Sequence, residues 1–398
     1  MSNPALPAEL LDHIADHLDT ACALRNCCLV SKSWIPRTRK HLFAKIKFVT
    51  AQKLHSWKRT FPDPSTSPAC YTKTLLIGCL RAVTAADAEA GGWIGGFSRV
   101  VHLEVNGHSV ATTESTVSLA PFHGFSPAIK SLYVSFAILP CSWVFSLVLS
   151  FPLLEDLTLI AYDIDASTDN GDDPDGPPTT IQSSKPPAFT GSLHLFLSRG
   201  GMSFITHQLL SLPGGIHFRK LDLTWFHEED SSLTMALVEK CYRTVETLDI
   251  TCNLGMSIRH DRPHRLLTSI VCLVGRSAPI DLSKATRLKN AVFRLKSMDV
   301  EWITTAFQTT IPKHPELQQI SIHVPYDLTT FDVKRSTVHG QWLDLDLLLV
   351  QFCELRSTHP KLTCRALIGE TRDMREFVKD LLPELTRRGM IDLVVRYV

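Results

Sequence analysis

Along most of this chain, apolar residues return at a position, three residues later and five later. Val100, Leu103 and Val105 form one such set, Ile129, Leu132 and Val134 a second, Leu154, Leu157 and Leu159 a third. The last two members of each set lie two residues apart, the spacing of neighbours on one face of a strand. Leu193 and Leu195 keep only the later part, with Thr190 in the first slot, and Phe218, Leu221, Leu223 and Val245, Leu248, Ile250 restore it. Leu288, Ala291, Phe293 is a weaker copy and Leu317, Ile320, Ile322 a better one; Leu362 with Leu367, then Met390, Leu393, Val395, finish the series. Most starting positions are 25 to 29 residues apart, and three longer gaps carry insertions.

Between the sets the sequence is helix-like over 230–240, 264–274, 300–307, 343–355 and 375–385, the last broken at Pro383. One strand and one returning helix cannot bury their apolar faces alone, so such a period predicts a stack of strand/helix units. Further strands are predicted at 44–50 and 71–79, with a helix through Leu54 and Trp57 between them and a proline-rich loop over 61–70. The rival is a doubly wound α/β domain, which shares the unit but uses one twisted sheet in place of a curved stack and puts a ligand loop at a strand end.

The first forty residues have another rhythm. Leu10, Leu11, Ile14 and Leu18 recur at helical spacing behind Pro7, with Glu9, Asp12, Asp16 and Asp19 on the other side. A second run, 21–34, carries Leu24, Cys28, Val30 and Trp34, with Leu29 just outside the stripe; Pro36 bends or restarts it before Leu42 and Phe43. Three short helices in so small a span cannot make a sufficient core. They either cap the body that follows or lend apolar surface to another chain.

This stretch resembles an F-box, the adaptor-binding domain of Skp-cullin ubiquitin ligases. Leu6, Pro7, Glu9 and Leu10 match its Leu-Pro-x-Glu-Leu opening; Leu11, Ile14 and Leu18 match its apolar helix; Leu29, Val30, Ser31, Lys32 and Trp34 match a Val-Ser-Lys-x-Trp signature; Leu42 and Phe43 close it. The repeats behind it resemble the degenerate leucine-rich-repeat solenoid found in fungal F-box proteins, although the consensus asparagine or cysteine after each strand is mostly missing. The fold class implied is α/β, a short all-helical module over 1–45, a transition over 46–97 and a curved repeat domain over 98–398. The resemblance implies a Skp-family adaptor and, through it, a cullin as partners. Leu6, Pro7, Leu10, Leu11, Ile14, Leu24, Leu29, Val30 and Trp34 are the candidate face, some of them belonging to the module's own core. A protein target would sit on the concave strand face, and the chain itself would be no enzyme and need no cofactor or metal.

Charge adds a limit: 41 basic against 40 acidic residues give no global reason to expect nucleic acid. Eleven cysteines without paired spacing read as buried free thiols of a reducing compartment, cytoplasmic and/or nuclear. Glu9 and Asp12 stand where a signal peptide would be basic and then apolar. No charge falls between Lys130 and Glu155, a length that could cross a bilayer, yet Pro140 divides it and both ends carry the strand pattern. Two buried strands joined by an apolar helix are expected there instead of a membrane span.

The aspartates of 161–188 have no EF-hand spacing and predict a disordered acidic loop. The basic stretch 257–265 predicts a solvated loop. No nucleophile elbow, Walker sequence, HExxH or paired-cysteine metal motif is present. Two alternatives stay open: a repeat scaffold without ligase association, and an α/β hydrolase or transferase of unfamiliar type.

Overall fold

The computed structural model describes residues 7–18, 20–80, 83, 93–106, 122, 125, 128–136, 141–161, 187–197, 199–225, 229–252, 282–295, 300–311, 316–324, 338–356, 358–366 and 374–397. Leu6, Leu367, most of the acidic stretch 161–188, the basic stretch 257–265 and the helix expected at 264–274 lie outside them. The chain divides into two compact units, residues 1–158 with 165–188, and 159–164 with 189–398.

The first unit opens with α1 (Ala8–Asp16), α2 (Ala21–Val30), a 3-10 turn at Lys32–Trp34 and α3 (Ile35–Leu42). Each break has a local cause. Thr20 caps α2 by accepting the Ala23 N–H at 3.2 Å, and Pro36 lies in the first turn of α3, where its missing N–H costs nothing. Then follow β1 (Lys45–Phe48), α4 (Ala51–Thr60), β2 (Thr74–Ile77), β3 (His102–Asn106), β4 (Ser131–Phe136) and α5 (Cys141–Leu149), and the division between the units falls within β5 (Asp156–Ala161). Strands β1 to β4 pair in sequence order, all parallel. The Glu155 and Asp156 N–H groups both donate to Lys130, at the entry to β5. The uncharged segment thus holds β4 and the nine-residue α5, and the second strand, β5, begins just past Glu155. Among the described residues no helix is long and apolar enough to cross a membrane.

The second unit contains β6 (Ser192–Phe196), α6 (Arg199–Leu210), β7 (Lys220–Trp225), α7 (Glu229–Cys241), β8 (Thr247–Cys252), β9 (Asn290–Arg294), α8 (Glu301–Thr310) and β10 (Gln319–Val324). It closes with α9 (His339–Arg356), β11 (Lys361–Ala366), α10 (Met374–Leu381), α11 (Pro383–Arg387) and β12 (Asp392–Tyr397). Strands β6 to β12 again pair in sequence order and in parallel. Neither run contains the reversal of order that a doubly wound sheet requires. Successive helices pack side by side, α6 on α7 and α8 on α9. One parallel strand per repeat, in chain order with helices between, is an arrangement compatible with a solenoid.

The apolar slots read from the sequence meet across the ladder. Leu103 pairs with Leu132 and Val105 with Val134; Leu193, Leu221, Leu248, Ala291 and Ile320 form one continuous row, and Leu195, Leu223, Ile250, Phe293 and Ile322 the next. These rows are buried and face the helix layer: Phe293 lies 5.5 Å from the Trp302 ring and 5.1 Å from that of Phe307. The same pattern already runs through β1 and β2, where Ile46 pairs with Leu75 and Phe48 with Ile77. One register differs from the expectation. Leu362, placed in a first slot, pairs instead with Ile322 on one side and Leu393 on the other, so its inward companion is the buried Cys364. Pairing shifts by two residues at β11, a step that keeps the same face inward and is therefore invisible to a period of two.

Candidate interaction surfaces

The helical module is held by its own few contacts. Asp16, at the end of α1, accepts the Arg37 Nε–H at 2.8 Å and the His41 Nε2–H at 2.7 Å, with a second Arg37 nitrogen on its other oxygen, and so ties α1 to α3. Buried Thr38 donates its hydroxyl to the Trp34 carbonyl at 2.7 Å and lies 2.8 Å from the Cys28 sulfur, fixing α3 against the turn and α2. The module joins the first rung directly: the Thr72 hydroxyl donates to the Phe43 carbonyl at 2.9 Å, and the Phe43 ring meets Trp57 of α4.

Arg37 first, then His41, hold the Asp16 carboxyl down to about 2 from an ordinary 3.8. A lowered folded-state pKa makes the clasp's contribution fully present above about pH 4 and removes it as pH falls through about 2. Asp16→Asn is therefore expected to lower amide-exchange protection over 8–42 at pH 7 and at pH 4. The difference from wild type, corrected for intrinsic exchange rates, should shrink between pH 4 and pH 2. A pH-independent difference would remove the ion pair from the account.

Packing divides the candidate face. Leu11 and Leu24 are buried in the module, Trp34 is half-buried in the 3-10 turn, and Pro7 is exposed with its carbonyl accepting the Leu10 and Leu11 N–H groups. Leu10 and Ile14, one turn apart on α1, are 49% and 41% exposed, and Leu29 and Val30, at the end of α2, are 85% and 76% exposed. Four large apolar side chains left in water on one small bundle are more than scattered surface exposure explains.

The second surface is the polar side of the strand ladder. In the second unit His194 donates Nδ1–H to Asp222 at 2.7 Å across β6 and β7. Asp222 stands beside Asp249 in the next rung, a like-charge pairing that costs energy on its own. Arg294 answers it from β9, donating Nε–H to Asp249 at 2.9 Å and Nη2–H at 2.6 Å, and Asp249 with Asp222 raises the Arg294 pKa. Short hydroxyl side chains, Thr224, Thr251, Ser321 and Thr363, are buried on the same side of the ladder, while Lys220 and Gln319 are exposed. This surface presents fixed polar columns at strand spacing. The individual positions were not legible as a site, because period-two patterning says only that they point away from the core.

Among the described residues no three His, Cys, Asp or Glu side chains are grouped to hold a metal ion. The buried thiols are poorly reactive: burial pushes Cys241 and Cys364 up to about 12 and Cys353 up to about 11, far from the thiolate form at neutral pH. Glu229 and Asp230 begin α7. Neither a scan against protein-family models nor a search of curated proteins finds a match for this chain.

Proposed function

We propose that the protein is a non-catalytic, repeat-based interaction scaffold that receives a protein partner on the polar side of its strand ladder. The observation that carries this reading is the strict sequence order of parallel strands, which lines up outward side chains such as Lys220 and Gln319 in columns. Such a surface offers many weak, additive contacts over several rungs, the way repeat proteins hold extended partners. A photo-crosslinking residue at Lys220 or Gln319 is expected to capture a partner in the native cell, and one at the helix-side Glu239 is not. Capture from Glu239 alone, or from none of the three, would defeat the reading.

A second reading adds a docking role for the helical module, and the exposed Leu10, Ile14, Leu29 and Val30 favour it. In that reading a Skp-family adaptor completes the module's apolar surface and, through it, a cullin is recruited. The chain would then be the substrate-recognition subunit of a cytoplasmic or nuclear ubiquitin ligase, with a leucine-rich-repeat-like body holding the target near the charged conjugating enzyme. Leu10→Asp with Ile14→Asp, or Leu29→Asp with Val30→Asp, should weaken binding of a purified Skp adaptor by about tenfold or more while the far-UV spectrum is unchanged. Leu11→Asp is unsuitable, because it breaks the module's own packing. If wild type fails to bind the adaptor, or the exposed-face variants bind it at full strength, this second reading falls and the scaffold reading stands alone.

A further inference from the structure

The last strand of the second unit is an edge of an unusual kind. Among the described residues β12 pairs with β11 alone. The Asp392 N–H donates to the Pro360 carbonyl at 3.0 Å, so the backbone groups of 392, 394 and 396 face β11. Those of Leu393 and Val395 must then face away, toward the open edge. Their side chains continue the buried rows, beside Leu362 and Cys364, but they are only half-buried where Leu362 is 2% and Cys364 0% exposed. Asp392 and Arg396 are exposed on the other face.

An open apolar edge is normally guarded by like charges. β1 follows that rule, since its Lys45 and Lys47 are both exposed and would repel a second copy laid against them. β12 does the opposite. Its run Asp-Leu-Val-Val-Arg is self-complementary when laid antiparallel against itself about Val394: Asp392 meets Arg396, Leu393 meets Val395 and Val394 meets Val394. Registers centred on Leu393 or Val395 set a charge against Val394 instead. The charge-matched register also makes Leu393 and Val395 the hydrogen-bonded pair, and theirs are the backbone groups that point outward.

We propose that β12 is a homodimerisation edge, pairing antiparallel with β12 of a second copy of this chain about a two-fold axis at Val394. The interface is isologous: one patch serves both copies, two Asp392–Arg396 pairs flank it, and the half-buried Leu393 and Val395 of each copy are covered by those of the other. Because few residues are involved, the dimer depends on concentration. The inference is independent of either functional reading above.

The test uses the full chain in analytical ultracentrifugation over a concentration series. Wild type is expected to form dimers and nothing larger. Asp392→Arg and Arg396→Asp each set like charges opposite one another at both ends, and each should raise the dissociation constant by about tenfold or more. An equimolar mixture of the two single variants should dimerise again, because each strand then faces its complement, and the double variant Asp392→Arg/Arg396→Asp should dimerise with itself. Amide exchange gives a readout free of substitutions: Leu393 and Val395 should slow with concentration while Val394 does not. Wild type that stays monomeric, single variants that dimerise as wild type does, a mixture that does not recover, or open-ended assemblies from addition of β12 to β1 would each overturn the proposal.

Discussion

Phe293→Ala is expected to destabilise the second unit by about 3–5 kcal/mol. The side chain is fully buried in the middle of the longest apolar row, between Ile250 of β8 and Ile322 of β10, with the Trp302 and Phe307 rings of α8 packed on it. Truncation removes transfer energy and leaves a cavity that cannot collapse, because the neighbouring rungs are tied by parallel ladders on both sides. Val292→Ala, one residue away on the opposite face of β9 and only half-buried, serves as the contrast and should cost about 1 kcal/mol or less. Urea denaturation followed by far-UV circular dichroism reads both. Similar losses at the two positions would mean that the row read from the sequence is not the core.

That row was legible because it depends on a period of two repeated over many strands, and every repeat votes for the same answer. The apolar sets of β3 and β4, and those of β6 to β10, fall into register for this reason, and the opening helices were marked in the sequence by Pro7 and Pro36. Legibility failed where a slot was filled by an unexpected residue type. Thr72, buried just ahead of β2, puts a polar residue in the first slot, so the strand expected at 71–79 was not counted among the apolar sets although Leu75 and Ile77 pair as the others do. Cys364 did the same at β11, since a cysteine carries no strand signature, and Leu362 was consequently placed in the wrong slot. The helix at 199–210 was unread because Gly200 and Gly201 stand in its first turn, where their low propensity is overridden by the packing of α6 on α7.

The candidate surfaces divide on similar lines. Sequence named the residues of the helical module but could not say which were inside, because Leu10 and Leu11 are adjacent and only the packing of α1 against its neighbours decides that Leu11 is covered. The charge quartet His194, Asp222, Asp249 and Arg294 was beyond reach, since its members come from four different rungs. Strand order places them together, and strand order is a tertiary fact.

A second long-range contact makes the other large prediction. Asp346 of α9 is 2% exposed, yet its Oδ2 accepts the Glu384 N–H at 2.7 Å and its Oδ1 the Leu385 N–H at 3.0 Å. These are orphan donors in the first turn of α11, whose own cap residue, Leu382, has no side-chain acceptor to offer. Asp346 thus supplies from another helix the cap that the local sequence lacks. At the other end Gly389, at φ +65°, closes α11 with Gly389 N–H to Thr386 and Met390 N–H to Leu385, leading straight into β12. Asp346→Ala leaves two N–H groups buried without an acceptor and is expected to cost about 2–4 kcal/mol, whereas Asp346→Asn, which keeps one acceptor oxygen, should cost roughly half as much.

The pH dependence has a definite sign. Burial raises the Asp346 pKa above 3.8, with the two backbone N–H groups opposing it. A raised carboxyl pKa means the folded chain binds its proton more tightly than the unfolded chain. The group's contribution therefore falls as pH rises from 3.8 through the folded value and is constant above it. The wild-type advantage over Asp346→Ala should consequently be larger near pH 4 than at pH 7. Asp16 and Glu384, both held down to about 2 by arginine partners, act in the opposite direction and lose their contribution on acidification. Denaturant unfolding of wild type and variant at the two pH values isolates the site, because Asp16 is common to both chains and cancels; Glu384, whose charge also raises Asp346, is coupled to it and is controlled for by repeating the pair in a Glu384→Gln background. An advantage that shrinks toward pH 4 would show that the ionised carboxylate is the favoured form in the fold, and the cap would then have to be strong enough to outweigh its burial.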